Sequence, residues 1–389
     1  MTTTTQASES SMRSSWRVLA RIALKAAVLF IILNLAFAIV QPLEALGHLS
    51  VYGTIVPPRL RLPYGDNPAA SYSLSIDSLP AMFATHAIAR PKADDEFRVV
   101  VLGDSQTWGW LLPPAQTIAQ VNAQRRMTGD RRIVIYNLGY PVLSLMKDLL
   151  ILDEALDYQP DLIVWIFTLQ SFGKDAQYSP LVLRNPERAR RLIEAYDLNL
   201  DPADPRFADP DFPGQTIIGQ RRALADWLRL QLYGVSWWAT GIDHAIPERY
   251  TPRATDLSAD ESWDVYDSPA VITPHDLAFD VLEAGVERAG AVPIVLINEP
   301  IYISDGANSD LRYNAFYPRW IYDRYRDLLR EWINQRGIPT LDLWNRIAPD
   351  QFTDTPVHLT PAASAQLSDE IADWIEIVVP GMISGEGDA

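Results

Sequence analysis

The chain has 389 residues, 48% of them hydrophobic, with 49 acidic against 33 basic residues and a formal net charge of -16. Such a composition supports a folded core, in one large domain with insertions or in two small ones, and excludes a disordered chain. The acidic balance excludes nucleic acid as a partner, because phosphate neutralisation needs clustered Lys and Arg, and the absence of cysteine excludes disulfides, thiolate nucleophiles and zinc ribbons.

In chain order, residues 1–21 begin rich in Thr and Ser and read as a cytoplasmic tail without regular structure. Arg13, Arg17, Arg21 and Lys25 then lead into an apolar run, 26–40, broken only by Asn34. Counted from Ile22, residues 22–40 reach the roughly 20 residues that a helix needs to cross the hydrocarbon of a membrane. Basic residues cluster before this run and the next one is Arg59, which predicts a single-pass helix with its N-terminus in the cytoplasm and the body outside. Ala36-Phe37-Ala38 supplies the rival reading, a cleaved signal peptide, although the apolar run exceeds the usual ~7–15 residues of such a segment. Residues 41–96, with Pro57-Pro58 and Pro63-Tyr64-Gly65, read as a juxtamembrane stalk packed partly on the body.

Regular structure is predicted over 97–380. Strands at 97–102, 132–137, 161–167, 291–297 and 339–343 alternate with helices at 116–127, 143–156, 275–289, 320–335 and 362–378. Strands that alternate with helices imply a parallel sheet covered on both faces, hence an α/β chain. The rhythm breaks at about 172–268, which reads as an insertion holding an acidic, Pro-rich loop at 201–213 and a helical segment at 221–232 before Trp237 and Trp238. Residues 381–389 form a C-terminal tail.

In an open parallel sheet the loops at the carboxyl ends of the strands gather into a crevice. Ser105 follows the first strand in Gly103-Asp104-Ser105, where a helix start can aim N–H groups at an anion; a helix-capping serine is the plain alternative. A nucleophilic serine needs a base, and the histidines are His48, His86, His244, His275 and His358. The first four fall near the membrane, in the stalk, in the insertion and at a helix start. His358 sits in the loop between the last strand and the final helix, which overlooks the crevice, and Asp354 is placed to hold its tautomer. An oxyanion hole would draw on the N–H of Ser105, the N–H of Gly139 after the second strand and the side-chain amide of Gln170 after the third. Aromatics at Trp237, Trp238 and 313–325 suit either a sugar-stacking surface or the core.

Gly103-Asp104-Ser105, Gly139 and the late His358-Leu359-Thr360 together resemble the SGNH, or GDSL-like, hydrolase family over about residues 97–380. That resemblance implies a three-layer α/β/α sandwich with a flavodoxin-like sheet, no metal or other cofactor, and acyl transfer through a covalent ester on Ser105. Two positions depart from the family pattern. Thr168-Leu169-Gln170-Ser171 carries Gln170 where relatives usually place Asn, and the usual aspartate position, three residues before His358, holds Thr355 with Asp354 one place earlier. The anchored architecture is similar to that of relatives, including the alginate O-acetyltransferase type, that add or remove acyl groups on surface polysaccharides. The resemblance therefore implies an acylated carbohydrate or lipid as substrate and leaves three readings open: an esterase, an O-acyltransferase supplied by a multi-spanning membrane partner, and a non-catalytic glycan-binding protein.

Overall fold

The apolar run after Glu96 sends alternate side chains to opposite faces, and this alternation builds the sheet. The computed structural model describes residues 3–64, 76–118, 127–128, 130–207, 209–240, 246 and 248–384. In it β1 (Glu96–Leu102) gives Val100 and Leu102 to one hydrophobic cluster and Val99 and Val101 to the other. A period of two with both faces apolar marks a strand buried on both sides. The other strands are β2 (Met127–Thr128), β3 (Arg131–Asn137), β4 (Leu162–Phe167), β5 (Ile294–Asn298) and β6 (Thr340–Asp342), arranged in the order β2-β3-β1-β4-β5-β6. All pairs are parallel except the short edge pair β2–β3.

Without that edge strand, the five parallel strands follow the flavodoxin-like order 2-1-3-4-5, in which the crevice opens at the carboxyl ends where the winding direction reverses. The helices used below are α1 (Thr3–Val40), α2 (Leu79–Thr85), α3 (Ser105–Trp108), α4 (Leu145–Ala155), α5 (Pro186–Ala195), α6 (Arg221–Thr240), α7 (Phe279–Ala289), α8 (Arg319–Arg336) and α9 (Pro361–Ser384). Leu149, Leu152, Leu282, Ile321 and Leu328 from α4, α7 and α8 cover one face of the sheet, and Leu367 and Ile371 from α9 cover the other. The result is a three-layer α/β/α sandwich.

Several expectations change. The segment read as an unstructured tail enters helix α1 at Thr3, and Trp16–Val40 of that helix is long and apolar enough to cross a membrane. The expected helix 116–127 ends instead in strand β2 at Met127–Thr128, and its residues 119–126 lie outside the described part. Residues 41–96 are more than a stalk: Leu62, Leu79, Met82, Phe83 and Ile88 are fully buried in the main cluster. The insertion joins the same core through Leu181, Val182, Ala189, Leu192 and Ile193. Tyr313, Tyr317, Tyr322 and Tyr325 are buried, so the 313–325 aromatics serve the core rather than a sugar-stacking face.

Candidate active site

Strand ends of the sheet bring the expected residues to one edge. Ser105 begins α3 directly after β1, and Asp104 caps that short helix by accepting the Gln106 N–H at 2.8 Å. Gly103 has φ of +153°, and a Cβ there would lie 2.2 Å from Thr107 Oγ1 and 2.9 Å from the Ile166 carbonyl oxygen. A Cβ on Gly139 would lie 2.6 Å from the Trp108 nitrogen. Glycine at position 103 lets the turn after β1 close against β4, and glycine at 139 lets the turn after β3 press on α3. Lys147, fully buried on α4, ties the same turns by donating to the carbonyls of Gly103 at 2.7 Å and Tyr140 at 3.2 Å, with Asp148 at 2.5 Å balancing its charge.

His358 arrives from the loop after β6. Its Nε2 lies 2.8 Å from Ser105 Oγ and its Nδ1 lies 2.8 Å from Asp354 Oδ1. An ionised carboxylate only accepts, so Nδ1 carries the proton and donates to Asp354, which leaves Nε2 to accept from the Ser105 hydroxyl. Burial acts to raise the Asp354 pKa, but the hydrogen bond and charge of His358 outweigh it and hold the carboxyl below its usual value. The one-residue displacement of the aspartate is absorbed by the loop itself. Thr355 Oγ1 accepts the N–H of His358 at 3.2 Å, and the Thr353 N–H donates back to the His358 carbonyl at 2.8 Å. This tight turn brings position 354 opposite position 358. Gln106 Nε2 donates to the Val357 carbonyl at 2.6 Å, which fastens the loop to α3.

The three expected oxyanion donors are placed differently from one another. Ser105 N–H is at the first position of α3, where helix geometry supplies no intrahelical acceptor. Gln170 stands in the turn after β4, and its Oε1 accepts the Trp263 indole N–H at 3.2 Å. An indole can only donate, so the amide oxygen faces Trp263 and the Nε2 donors form the other end. The Gly139 N–H already donates to Asn137 Oδ1 at 3.0 Å; donation to an oxyanion requires that bond to be shared or released.

Other residues at the site escaped the sequence reading. The Trp110 ring stacks on the His358 imidazole with centroids 5.5 Å apart and planes at 23°. Buried Arg61 holds the loop carrying Trp110, donating to the carbonyls of Gly109 at 2.9 Å and Leu112 at 3.0 Å while its guanidinium lies 3.7 Å above the Trp108 ring. Glu299 follows β5 and is fully buried beside Asp104. Burial first, and then the negative charge and hydrogen bond of Asp104, push its carboxyl well above the ordinary range. Burial leaves Asp104 raised as well, but Lys147 and the Gln106 N–H offset part of that push, so Glu299 carries the proton that the two carboxyls share. That assignment gives a partner to Asp104 Oδ2 and to one Glu299 oxygen, neither of which meets another donor among the described residues. The position of Glu299, at a strand's carboxyl end, was the signal that could have found it.

The remaining histidines lie apart from this constellation. His48 and His275 are exposed and His244 lies outside the described residues. His86 is buried, accepts the Ile88 N–H on Nδ1, and is pushed down to about 4 by burial. A cleft of about 1110 Å³ is lined by neither Ser105 nor His358; Arg184, Arg188, Arg191 and Arg288 on its walls pair with Asp77, Glu154 and Asp153.

No protein-family model matches the chain, and no curated protein matches it. Among solved structures it is similar to a lipolytic protein of the G-D-S-L family from Desulfitobacterium hafniense, with 10% identity, a TM-score of 0.35 and coverage of 72% of this chain and 99% of that one. It is also similar to the carbohydrate acetylesterase Est24 from Sinorhizobium meliloti, with 13% identity, a TM-score of 0.32 and coverage of 72% and 99%. The M. smegmatis aryl esterase shows 11% identity, a TM-score of 0.32 and coverage of 72% and 99%. The fold assignment rests on strand order and register, independently of these likenesses.

Proposed function

We propose that the protein is a membrane-anchored serine esterase of the SGNH type, acting on acyl esters, acetyl foremost, of a carbohydrate or lipid outside the cytoplasm. The observation that carries this reading is the hydrogen-bonded series Ser105–His358–Asp354, with 2.8 Å at each link. Ser105 Oγ attacks the acyl carbon while His358 Nε2 takes its proton, and Asp354 keeps the imidazole in the accepting tautomer and stabilises the imidazolium. The stacked Trp110 ring adds a cation–π attraction to that imidazolium. The tetrahedral oxyanion is met by the Ser105 N–H and the Gln170 amide. Collapse breaks the bond to the alcohol, which leaves with the proton from His358 and an ester on Ser105. Water, activated by His358, then frees the acid and restores the serine.

The anchoring helix favours a second reading, in which a sugar hydroxyl replaces water and a membrane partner supplies the acyl group. Incubation with a fluorophosphonate followed by intact-mass measurement tests the shared step: one adduct is expected on the wild type and none on Ser105→Ala. An unlabelled wild type would move the assignment to the glycan-binding reading. Acetate release from an acetylated glycan, with and without an acceptor glycan, separates hydrolysis from transfer.

A further inference from the structure

Within the candidate membrane span Trp16–Val40, Asn34 and Ala38 are buried while most of their neighbours are exposed to the surroundings. Four residues apart, they form one stripe of α1, and the covering segment comes from the insertion. The Ile218 N–H donates to Asn34 Oδ1 at 3.3 Å, Gln41 Nε2 donates to the Gln215 carbonyl at 3.4 Å, and Gln220 Nε2 donates to Gln41 Oε1 at 3.1 Å. Asn34 lies about 9 Å along the helix before Val40, at 1.5 Å per residue. The segment 215–220 therefore stands beside the last two turns of the candidate span, at the end from which the chain leaves it.

Helix α6 continues from that segment and is fastened to the chain leaving the span, since the Val51 N–H donates to Gln231 Oε1 at 2.9 Å. Its inner face buries Leu230 and packs Gly234 against the Tyr52 ring, where an added Cβ would lie 2.4 Å away. Its outer face carries Leu228, Leu232 and Val235 at i, i+4 and i+7, exposed by 46%, 71% and 41%. Trp238 is exposed by 58%, and Phe212 and Ile218 on the preceding segment by 50% and 52%. Arg221, Arg222 and Arg229 flank this stripe against one acid, Asp226, in a chain whose net charge is -16. An apolar stripe with an aromatic and basic flanks is the pattern of a helix lying in a membrane interface.

We propose that residues 212–240 form an interfacial element that lays the body against the outer leaflet of the membrane holding α1, with anionic headgroups facing the arginines. This rests on the anchored reading above and adds to it a second, peripheral contact that fixes the orientation of the body. Because the chain lacks cysteine, single sites can be labelled with an environment-sensitive fluorophore without background. Full-length Ile31→Cys, Ile218→Cys, Leu232→Cys and Val271→Cys proteins are reconstituted in phosphatidylcholine–phosphatidylglycerol vesicles containing nitroxide lipids. Val271, 92% exposed ahead of α7, is the aqueous control. The expected result is strong quenching at Ile31 and quenching at Ile218 and Leu232 several-fold above Val271. Quenching at Ile31 with Leu232 and Ile218 matching Val271 overturns the docking and leaves the anchor intact. An unquenched Ile31 overturns the anchor and the docking together. A blue-shifted but unquenched Leu232 assigns the stripe to a protein partner, such as a second copy, and also overturns the proposal.

Discussion

Ser105, His358 and Asp354 stand in a linear relay, so their losses are coupled. Removing either the nucleophile or its base disables the same step, and Ser105→Ala, His358→Ala and the double variant should retain similar residual rates in ester hydrolysis. In the sequence Asp354 stands one place before the usual aspartate position, yet its carboxylate lies 2.8 Å from His358 Nδ1. Asp354→Asn should lower kcat on the order of 10⁴-fold, because an amide no longer selects the accepting tautomer. A rate near wild type would assign the orientation to the loop backbone.

Glu299 permits a prediction with a definite sign. A carboxyl whose folded pKa is raised contributes stability that is complete below the unfolded value, about 4.3, and is lost as pH rises towards the folded value. Glu299→Gln keeps a donor for Asp104 and has no proton to lose. Its melting temperature should therefore match the wild type near pH 4 and exceed it increasingly at higher pH. Glu299→Ala leaves Asp104 unpartnered and should cost about 1–3 kcal/mol. Parallel melting curves for wild type and Glu299→Gln across that range would show that no proton is shared.

At the scale of elements, the loop after α3 depends on an arginine contributed by the segment before the sheet. Arg61 satisfies the carbonyls of Gly109 and Leu112 and covers the Trp108 ring, and between them Trp110 reaches His358. Leu111, at φ of +60°, holds a left-handed conformation in the same loop, a strained state for a non-glycine residue that surrounding structure must enforce. Arg61→Met keeps much of the apolar stem and removes the donors. Amide hydrogen exchange should accelerate over residues 108–112 and kcat should fall, while exchange in β4 and β5 stays slow. Unchanged exchange in the loop would show that it holds its shape without Arg61.

The whole molecule contains a third component besides helix α1 and the sandwich, namely the 41–96 segment. Leu62, Leu79, Met82, Phe83 and Ile88 from it are fully buried. At about 1.5–3 kcal/mol for each buried apolar side chain, their loss would remove on the order of 10 kcal/mol, comparable with the whole stability of an ordinary domain, about 5–15 kcal/mol. A chain starting at residue 41 should melt cooperatively in solution, whereas one starting at residue 97 should not fold. Cooperative melting of the shorter chain would separate the segment from the core.

Periodicity in the sequence determined the sheet, because strands such as Phe97–Leu102 and Leu162–Phe167 are short apolar runs whose neighbours alternate with amphipathic helices, and that signal is local. It also located Ser105, Gly139, Gln170 and the His358 loop at strand ends, since the carboxyl edge of a parallel sheet follows from chain order alone. The reach of Asp354 was decided elsewhere, by hydrogen bonds of Thr353 and Thr355 that close the loop. Arg61, Lys147 and Trp263 were equally out of reach. Each acts on a partner distant in the chain, as Lys147 does on Gly103 and Trp263 on Gln170. Spacing along a sequence encodes which face of its own element a residue occupies; which other element meets that face is decided only when the layers pack.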